Sequence, residues 1–376
     1  MSFYEKLGIK TIVNASETYT GLGGSLMDER TLKAMAEAGQ SFIDYSALLE
    51  AVCKRAAEIT NNEAAFVTTG AAGGVILSAA ACMCGSDEEK LAKLPHTEDF
   101  EKNEILIFDG NFRKEIPYWK LIGLTGAKIV VVEPTVEAMV NAVNEKTAAV
   151  FLFSATLYEE DIPTCEEVIP ALKKTGVRIV VDAAAQLPPK TNLWYYTNEL
   201  GADLAVFSGG KHIKGPQCTG LIVGKKDLTE VCRMAASPNP FIGRAFKTGK
   251  EELAGFLTAL ELFVNEETEI GFQRQKEMLL KLEGLLKADA EAGLQTEMRE
   301  QGRLGTCQPL LLVTLPEGKT AEDCNKYTRA LEQQVDVGVY PPEFKMPENV
   351  IFLNAYNLKE HEVEIVAKVV LGYVKG

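Results

Sequence analysis

Seven short apolar runs between residues 64 and 224 constrain the fold of this chain more than any other feature. Most are rich in Val, Ile, Leu and Phe and do not alternate with polar residues, as expected of strands covered on both faces of a sheet. The runs are residues 64–69, 104–109, 128–133, 148–153, 178–182, 203–207 and 219–224. Because helical stretches separate most of them, the sequence predicts an α/β fold with a seven-stranded, mostly parallel sheet between helices.

The pattern changes after about residue 250, where long amphipathic helices become more frequent than strands. We expect helices over 136–144, 164–175, 272–292, 321–334 and 360–371, and further strands over 309–314 and 350–356. Thr164 is the expected N-cap of its helix, since Glu166 and Glu167 follow it. We therefore predict an amino-terminal arm over residues 1–50, a large domain over 51–245 and a smaller α+β carboxy-terminal domain over 246–376.

The charge and hydropathy of the chain argue against two classes of partner. Its 376 residues carry a formal net charge of −14, which suits neither nucleic-acid phosphates nor an anionic membrane surface. The longest nearly uncharged segment, 68–87, is interrupted by glycines and is too weakly apolar to span a bilayer. Since no apolar signal core accompanies Glu5, Lys6 and Lys10, we expect a cytoplasmic protein.

Cysteine and histidine spacing predicts no metal site. The eight cysteines form no Cys-x-x-Cys pair, and the three histidines form no His-Glu-x-x-His pattern. Cys82 and Cys84 have the spacing of a metal half-site, but small apolar residues inside a buried helix are the favoured interpretation. We expect reduced, mostly buried thiols.

The principal candidate for catalysis is Lys211, in Phe207-Ser208-Gly209-Gly210-Lys211. A lysine in a small-residue turn directly after a buried strand is placed to form a Schiff base with pyridoxal 5′-phosphate (PLP). An exposed surface lysine is the alternative, and Lys214 is the second choice for the Schiff base. Ser208 precedes Lys211 by three residues and is predicted to share the cofactor phosphate.

Asp182 ends the neighbouring apolar run, where a carboxylate is costly unless it meets a cation. The protonated pyridine nitrogen of PLP is a fitting partner, because the pairing keeps the ring an electron sink. An N-cap or a structural ion pair is the alternative. Ala184 is small enough to lie against the ring, and Gln186 is predicted to donate toward the phenolic oxygen.

A phosphate site is predicted where the first apolar run meets a helix. Thr69, Gly70, Ala71 and Ala72 begin a Gly/Ala-rich turn whose backbone N–H groups suit a phosphate ester. Tight packing is the equally weighted alternative. The turn is neither a Rossmann nor a Walker motif.

Further candidates for ligand contact are an aromatic residue and three cations. Phe112 is predicted to stack on the pyridine ring, with a core position as the alternative. Arg113, Arg244 and Lys247 are candidate clamps for a carboxylate or phosphate of the substrate. The alternatives are a solvated charge for Arg113 and a solvated interdomain linker for the cationic segment 242–250.

These residues together resemble the fold-type-I PLP enzymes, the aspartate aminotransferase-like group, and within it selenocysteine synthase and D-glucosaminate-6-phosphate ammonia-lyase. The resemblance covers residues from about 11 to 263. Its most specific motifs are Val13-Asn14-Ala15, Val180-Val181-Asp182-Ala183-Ala184-Ala185 with Leu187-Pro188-Pro189, Phe207-Ser208-Gly209-Gly210-Lys211 with Gly215-Pro216-Gln217, and Ile242-Gly243-Arg244 with Lys247 and Gly249-Lys250-Glu251-Glu252. Where ammonia-lyase relatives often carry His-Arg, this chain has Phe112-Arg113.

The resemblance implies that Lys211 carries the Schiff base, that Asp182 binds the pyridine nitrogen, and that the protein is a homodimer or larger homo-oligomer. The expected function is α,β-elimination from an amino acid or phosphorylated amino sugar acid, releasing ammonia and a keto acid. β-Replacement, racemisation and aldol cleavage stay open, as does a non-catalytic binding protein of the same fold. The small-molecule substrate is the expected partner; no tRNA or other nucleic acid is expected.

Overall fold

The computed structural model describes residues 2–111, 119–154, 162–302 and 304–376. Its strands, in chain order, are β1 (Ile12–Ala15), β2 (Ala64–Thr69), β3 (Glu104–Phe108), β4 (Lys128–Val132), β5 (Thr147–Phe153), β6 (Arg178–Asp182), β7 (Leu204–Ser208), β8 (Thr219–Gly224), β9 (Gln295–Arg299), β10 (Leu310–Thr314), β11 (Gln334–Val339) and β12 (Val350–Leu353). All seven predicted apolar runs are strands.

The helices are α1 (Phe3–Lys6), α2 (Glu29–Gly39), α3 (Tyr45–Ile59), α4 (Gly70–Cys84), α5 (Glu88–Lys93), α6 (Trp119–Gly123), α7 (Val136–Ala142), α8 (Cys165–Leu172), α9 (Asn192–Trp194), α10 (Lys226–Ala235), α11 (Lys250–Asn265), α12 (Thr268–Lys287), α13 (Ala321–Ala330) and α14 (Glu362–Lys375). Thr164 precedes α8 as predicted, and its backbone N–H donates to Glu167 Oε2 at 2.8 Å. Within the described ranges, no helix has the length and apolarity needed to cross a bilayer.

The larger of two compact units comprises residues 24–265 and contains a seven-stranded sheet. The strand order is β2-β8-β7-β6-β5-β3-β4. Only β8 runs antiparallel to its neighbours, so the carboxyl ends of the other six strands lie along one edge. The predicted fold class, a mostly parallel sheet covered by helices, is confirmed.

Burial explains why the central strands lack polar alternation. Each residue of β3 is buried, and Val150, Val180 and Val206 on successive strands are fully enclosed. The helix α4 is apolar on all sides because it also packs inside the unit, close to β7 and β8. A Cβ added to Gly74 would lie 2.6 Å from Val206 Cγ1, so glycine permits this approach.

The second compact unit comprises residues 1–23 and 266–376 and contains a five-stranded sheet in the order β1-β11-β12-β10-β9. The strand β1 pairs in parallel with β11, whereas the remaining pairs are antiparallel. Helix 321–334 was predicted too long, since α13 ends at Ala330 and Gln334 already begins β11. The predicted domain boundaries, at residues 50 and 245, stay predictions and differ from the limits of these units.

The turn that begins α4 depends on a glycine in the neighbouring strand. A Cβ on Gly220 would lie 2.3 Å from the carbonyl carbon and oxygen of Gly70 and 2.7 Å from the nitrogen of Ala71. These are backbone atoms, so they cannot move aside as a flexible side chain can. The sheet and the turn therefore approach each other only because residue 220 has no side chain.

We predict that Gly220→Ala lowers the free energy of unfolding by about 2 kcal/mol because of this overpacking. Urea denaturation of the purified apoprotein measures the change. The control is Gly284→Ala, at an exposed position of α12 with no described atom within 4 Å of the added Cβ. The control should be unchanged or more stable by up to about 1 kcal/mol. Equal stabilities of the two variants would contradict the packing argument.

Candidate active site

The predicted lysine and aspartate lie on the same edge of the seven-stranded sheet. Asp182 is the last residue of β6 and pairs with Val206 of β7, and β7 ends at Ser208, three residues before Lys211. Lys211 is half-buried. Burial raises the pKa of the Asp182 carboxyl, and the charge of Lys211 partly opposes that rise. The fold therefore brings together two groups that lie 29 residues apart in the sequence.

The Asp182 carboxylate is held in a position that favours a cationic partner. Burial raises the pKa of Asp182 above its ordinary value, and this effect exceeds the opposite effects of the Ala184 N–H and the Lys211 charge. The Ala184 N–H donates to Asp182 Oδ1 at 3.0 Å. A buried carboxylate that resists ionisation gains most from a positive charge placed beside it.

Two residues that the sequence analysis missed support the end of β6. The backbone N–H of Ser154 donates to the Asp182 carbonyl oxygen at 3.0 Å. The Ser154 hydroxyl in turn contacts the hydroxyl of buried Tyr196 at 2.7 Å. Tyr196 lies in a π-helical turn, Tyr195–Glu199, a local geometry that often occurs near functional sites. No motif in the sequence signals this pair.

The turn that carries Lys211 connects β7 to β8. The Gly209 N–H donates to the Thr219 carbonyl at 2.8 Å, and the Gly215 N–H donates to the Gly209 carbonyl at 2.9 Å. A Cβ on Gly210 would lie 2.4 Å from Gln217 Cα, so the backbone folds closely on itself. The glycines around Lys211 thus fix a compact turn at the edge of the sheet.

The predicted phosphate-binding residues lie at the junction of β2 and α4. Thr69 is the N-cap, with no side-chain capping hydrogen bond, and Gly70, Ala71 and Ala72 form the first turn. The buried Thr69 Oγ1 has no hydrogen-bond partner among the described residues. The Gly70 N–H donates to the Cys218 carbonyl at 2.7 Å, which connects this turn to the segment after Lys211. A hydroxyl and free helix N–H groups suit an anion.

The remaining cofactor candidates are placed in the loop after β6 or outside the described residues. Ala184 is half-buried and Gln186 is buried. The Gln186 carbonyl accepts a hydrogen bond from Asn192 Nδ2 at 2.6 Å, which holds the loop in place. Phe112 and Arg113 lie outside the described residues, so their roles stay predictions.

The two other substrate candidates lie on an exposed segment beside α4. Arg244 Nη1 donates to Ser237 Oγ at 3.4 Å, and Lys247 is exposed. Phe246 reaches the first turn of the helix, since a Cβ on Gly73 would lie 3.7 Å from Phe246 Cγ. The cationic segment therefore passes close to the predicted phosphate turn. Among the described residues, no group of His, Cys, Asp and Glu side chains forms a metal site.

Comparison with known proteins identifies the family. The aminotransferase class-V profile matches residues 93–243. A 5′-C-glycyluridine monooxygenase-decarboxylase from Streptomyces sp is 30% identical over 353 residues, which cover 91% of this chain and 84% of that protein. The chain belongs to the aminotransferase class-V family of PLP-dependent enzymes.

Other members of this PLP family match at lower identity. A D-glucosaminate-6-phosphate ammonia lyase from Salmonella typhimurium is 25% identical, covering 97% of this chain and 96% of that one. An L-seryl-tRNA(Sec) selenium transferase from Mannheimia succiniciproducens is 26% identical, covering 79% and 69%. The solved structure of a D-glucosaminate-6-phosphate ammonia-lyase matches the whole chain with a TM-score of 0.82 at 23% identity. Fold type I, predicted from the sequence motifs, is confirmed.

The described residues fit PLP. Asp182 would place a carboxylate beside the ring nitrogen, and Lys211 has an amine on the same edge of the sheet that would meet the aldehyde. Thr69 Oγ1 is a buried hydroxyl oxygen without a protein partner among the described residues, next to the start of α4, and would contact the phosphate.

We predict that the stability of the apoprotein depends on pH through Asp182. Because burial raises the folded-state pKa of its carboxyl, the folded chain binds this proton more tightly than the unfolded chain. The stabilisation that protonated Asp182 contributes to the folded state is fully present below the pKa of the carboxyl in the unfolded chain, about 4. This stabilisation is lost as pH rises through the higher pKa of the carboxyl in the folded chain. As pH rises over this range, the free energy of unfolding measured by urea denaturation should fall more steeply in the wild type than in Asp182→Asn.

The same series with PLP provides the control. A cationic ring nitrogen beside the carboxylate should lower its pKa and reduce the fall in stability for the wild type only. Identical pH dependence of the two apoproteins would contradict a raised pKa at Asp182.

Proposed function

We propose that this protein is a PLP-dependent lyase that catalyses α,β-elimination from an amino acid or phosphorylated amino sugar acid. The products are ammonia and a keto acid. The observation that carries the proposal is the placement of Lys211 and the half-buried Asp182 on one sheet edge, beside a turn suited to a phosphate. The 25% identical ammonia lyase, which matches nearly the full length of the chain, supports the reaction type.

Each described candidate has a separate role in this proposal. When bound, PLP withdraws electrons from the α-carbon of an amino acid. Asp182 would keep the ring nitrogen protonated by placing a carboxylate beside it. Thr69, Ser208 and the N–H groups of Ala71 and Ala72 would hold the phosphate, while Gly70 would form the turn around it. Ala184 would lie against the ring, and Gln186 would donate to its phenolic oxygen.

Lys211 would provide both attachment and proton transfer. Its Nζ would hold the cofactor covalently and, once released by the substrate amine, would take the proton from the α-carbon. The proton on Lys211 Nζ would then pass to the β-hydroxyl, which would leave as water when its C–O bond breaks. The released enamine would add one water and be hydrolysed to a keto acid and ammonium. Phe112 and Arg113 are proposed to contact the ring and the substrate, respectively.

The proposal includes the surroundings in which the enzyme works. All eight cysteines are free thiols, which supports a reducing compartment such as the cytoplasm.

The larger unit has exposed apolar side chains at Leu26, Phe42 and Ile43, and Phe42 is fully exposed. We propose that a second copy of the chain covers these side chains, so that the protein is a homodimer or larger homo-oligomer. Light scattering of the purified protein measures the oligomer number.

We predict that Lys211→Ala lowers the rate of keto-acid and ammonium release by at least about 100-fold, because the proton acceptor is lost. The measurement uses D-glucosaminate 6-phosphate and hydroxy amino acids as probes. The control is Lys226→Ala, at an exposed position in the first turn of α10, which should keep most of the activity. The borohydride-stable PLP adduct should map to residue 211 in the wild type. Comparable activity in both variants would contradict the assignment.

The assay also separates elimination from other chemistry. The 30% identical relative is named for a monooxygenase-decarboxylase reaction, so oxygen uptake and carbon dioxide release are followed alongside ammonium. Ammonium release without oxygen uptake supports the lyase. Oxygen-dependent loss of carbon dioxide without a keto acid would contradict it and favour the chemistry named for that relative.

We predict that Arg244→Gln and Lys247→Gln raise the KM for the phosphorylated substrate about tenfold, because each removes a cation proposed to hold the phosphate. The KM for unphosphorylated D-glucosaminate should change little. The matched control is Arg233→Gln, an exposed arginine paired with Glu230 at 2.7 Å. Equal effects on both substrates would instead indicate a contact with the substrate carboxylate.

A further inference from the structure

We propose that residues 24–28, named here the strap, position Lys211 by holding the turn that carries it. The backbone N–H and the hydroxyl of Ser25 both donate to the Gly210 carbonyl oxygen, each at 3.2 Å. Gly210 directly precedes Lys211 in the sequence. Two donors on one carbonyl restrain the rotation of this peptide plane, and this plane sets the direction from which the lysine side chain leaves the backbone.

The close approach of the strap depends on Gly24. Its φ of +80° is in the left-handed region, and an added Cβ would lie 2.6 Å from the Gly210 carbonyl oxygen. The same Cβ would lie 3.2 Å from Gln217 Cγ. Only glycine meets both the conformational and the steric requirement. Gly24 therefore has a specific use in the strap, beyond forming a turn.

The strap also interacts with the chain on the other side of Lys211. Hydrogen bonds from Arg30 lower the pKa of the Asp28 carboxyl to about 2, and the charge of Lys214 contributes in the same direction. The Lys214 N–H donates to the Lys211 carbonyl at 3.1 Å. Gly210 and Lys214 thus connect the strap to the turn before and after Lys211.

The restraint has a direct consequence for the lysine amine. Gly210 is fixed from one side by Gln217 and from the other by Ser25, so the Lys211 backbone has little freedom to rotate. The amine is then presented to the cofactor in one orientation, and binding does not require the turn to be ordered first. This inference rests on the proposed function, in which Lys211 binds PLP.

The test follows formation of the visible absorption band after PLP is added to the apoprotein, together with the pH titration of that band. We expect Ser25→Ala to slow formation about tenfold and to move the midpoint of the titration, because one of the two restraints on Gly210 is lost. Ser25→Thr, which keeps the hydroxyl, should restore both values. Gly24→Ala should have a larger effect than Ser25→Ala. The control is Ser86→Ala, at an exposed serine away from the strap.

Urea denaturation of each apoprotein separates positioning from stability. The positioning role of the strap is supported if the absorption band forms more slowly in Ser25→Ala at unchanged stability and if Ser25→Thr restores the rate. The inference would be overturned if the band formed at the wild-type rate in both Ser25→Ala and Gly24→Ala. It would also be overturned if the rate of band formation fell only in proportion to the loss of stability and Ser25→Thr did not restore it. Failure of the wild type to form a band at all, or a band that persists in Lys211→Ala, overturns the proposed function instead.

Discussion

The proposed active site depends on one carboxylate, that of Asp182 at the end of the central strand β6. Asp182 cannot ionise cheaply where it lies, because burial raises its pKa. Its Oδ1 accepts the Ala184 N–H, and its carbonyl accepts the Ser154 N–H. These contacts fix the carboxylate but do not provide a full counter-charge. In the proposed function, the protonated nitrogen of PLP would supply that charge, so that the cofactor and the carboxylate would stabilise each other's charged forms.

The antiparallel strand β8 is the second element on which the site depends. It lies between β2 and β7, and thereby brings the phosphate turn and the lysine turn to neighbouring positions on the sheet. Thr219 pairs with Thr69, and Gly220 pairs with both Thr68 and Ser208. The absence of a side chain at Gly220 lets the first turn of α4 approach the sheet. One strand therefore sets the relation between two parts of the cofactor site.

The strands of the larger unit and the residues at their carboxyl ends could be predicted from the sequence, because this unit is built mostly from buried parallel strands. Such strands are continuous apolar runs, and functional residues follow their carboxyl ends. Lys211 and Asp182 could be predicted as site residues for this reason. Ser154, Tyr196 and Gly220 could not, since serine after a strand, tyrosine in a helix and glycine in a strand have many common structural causes.

The smaller unit was harder to predict because its pairing is distant in sequence. Ile12 pairs with Gln334, and no local pattern relates two segments so far apart. The strand β11 contains Asp336 and Gly338, which weaken its apolar pattern. The sequence therefore predicts a helix that continues to residue 334, beyond the end of α13 at Ala330. A Cβ on Gly338 would lie 2.3 Å from the Phe352 ring, so this glycine serves packing against β12.

By itself, the sequence determined the α/β class and the seven strands of the larger unit, and it predicted the lysine and the aspartate as site residues. These follow from local hydropathy and from the chemistry of single residues at strand ends. Only the tertiary structure decided which strands are neighbours, that Asp182 is buried enough to need a cation, and that Ser25 reaches the Gly210 carbonyl. Those properties arise from contacts between segments separated by tens to hundreds of residues, which local sequence patterns do not encode.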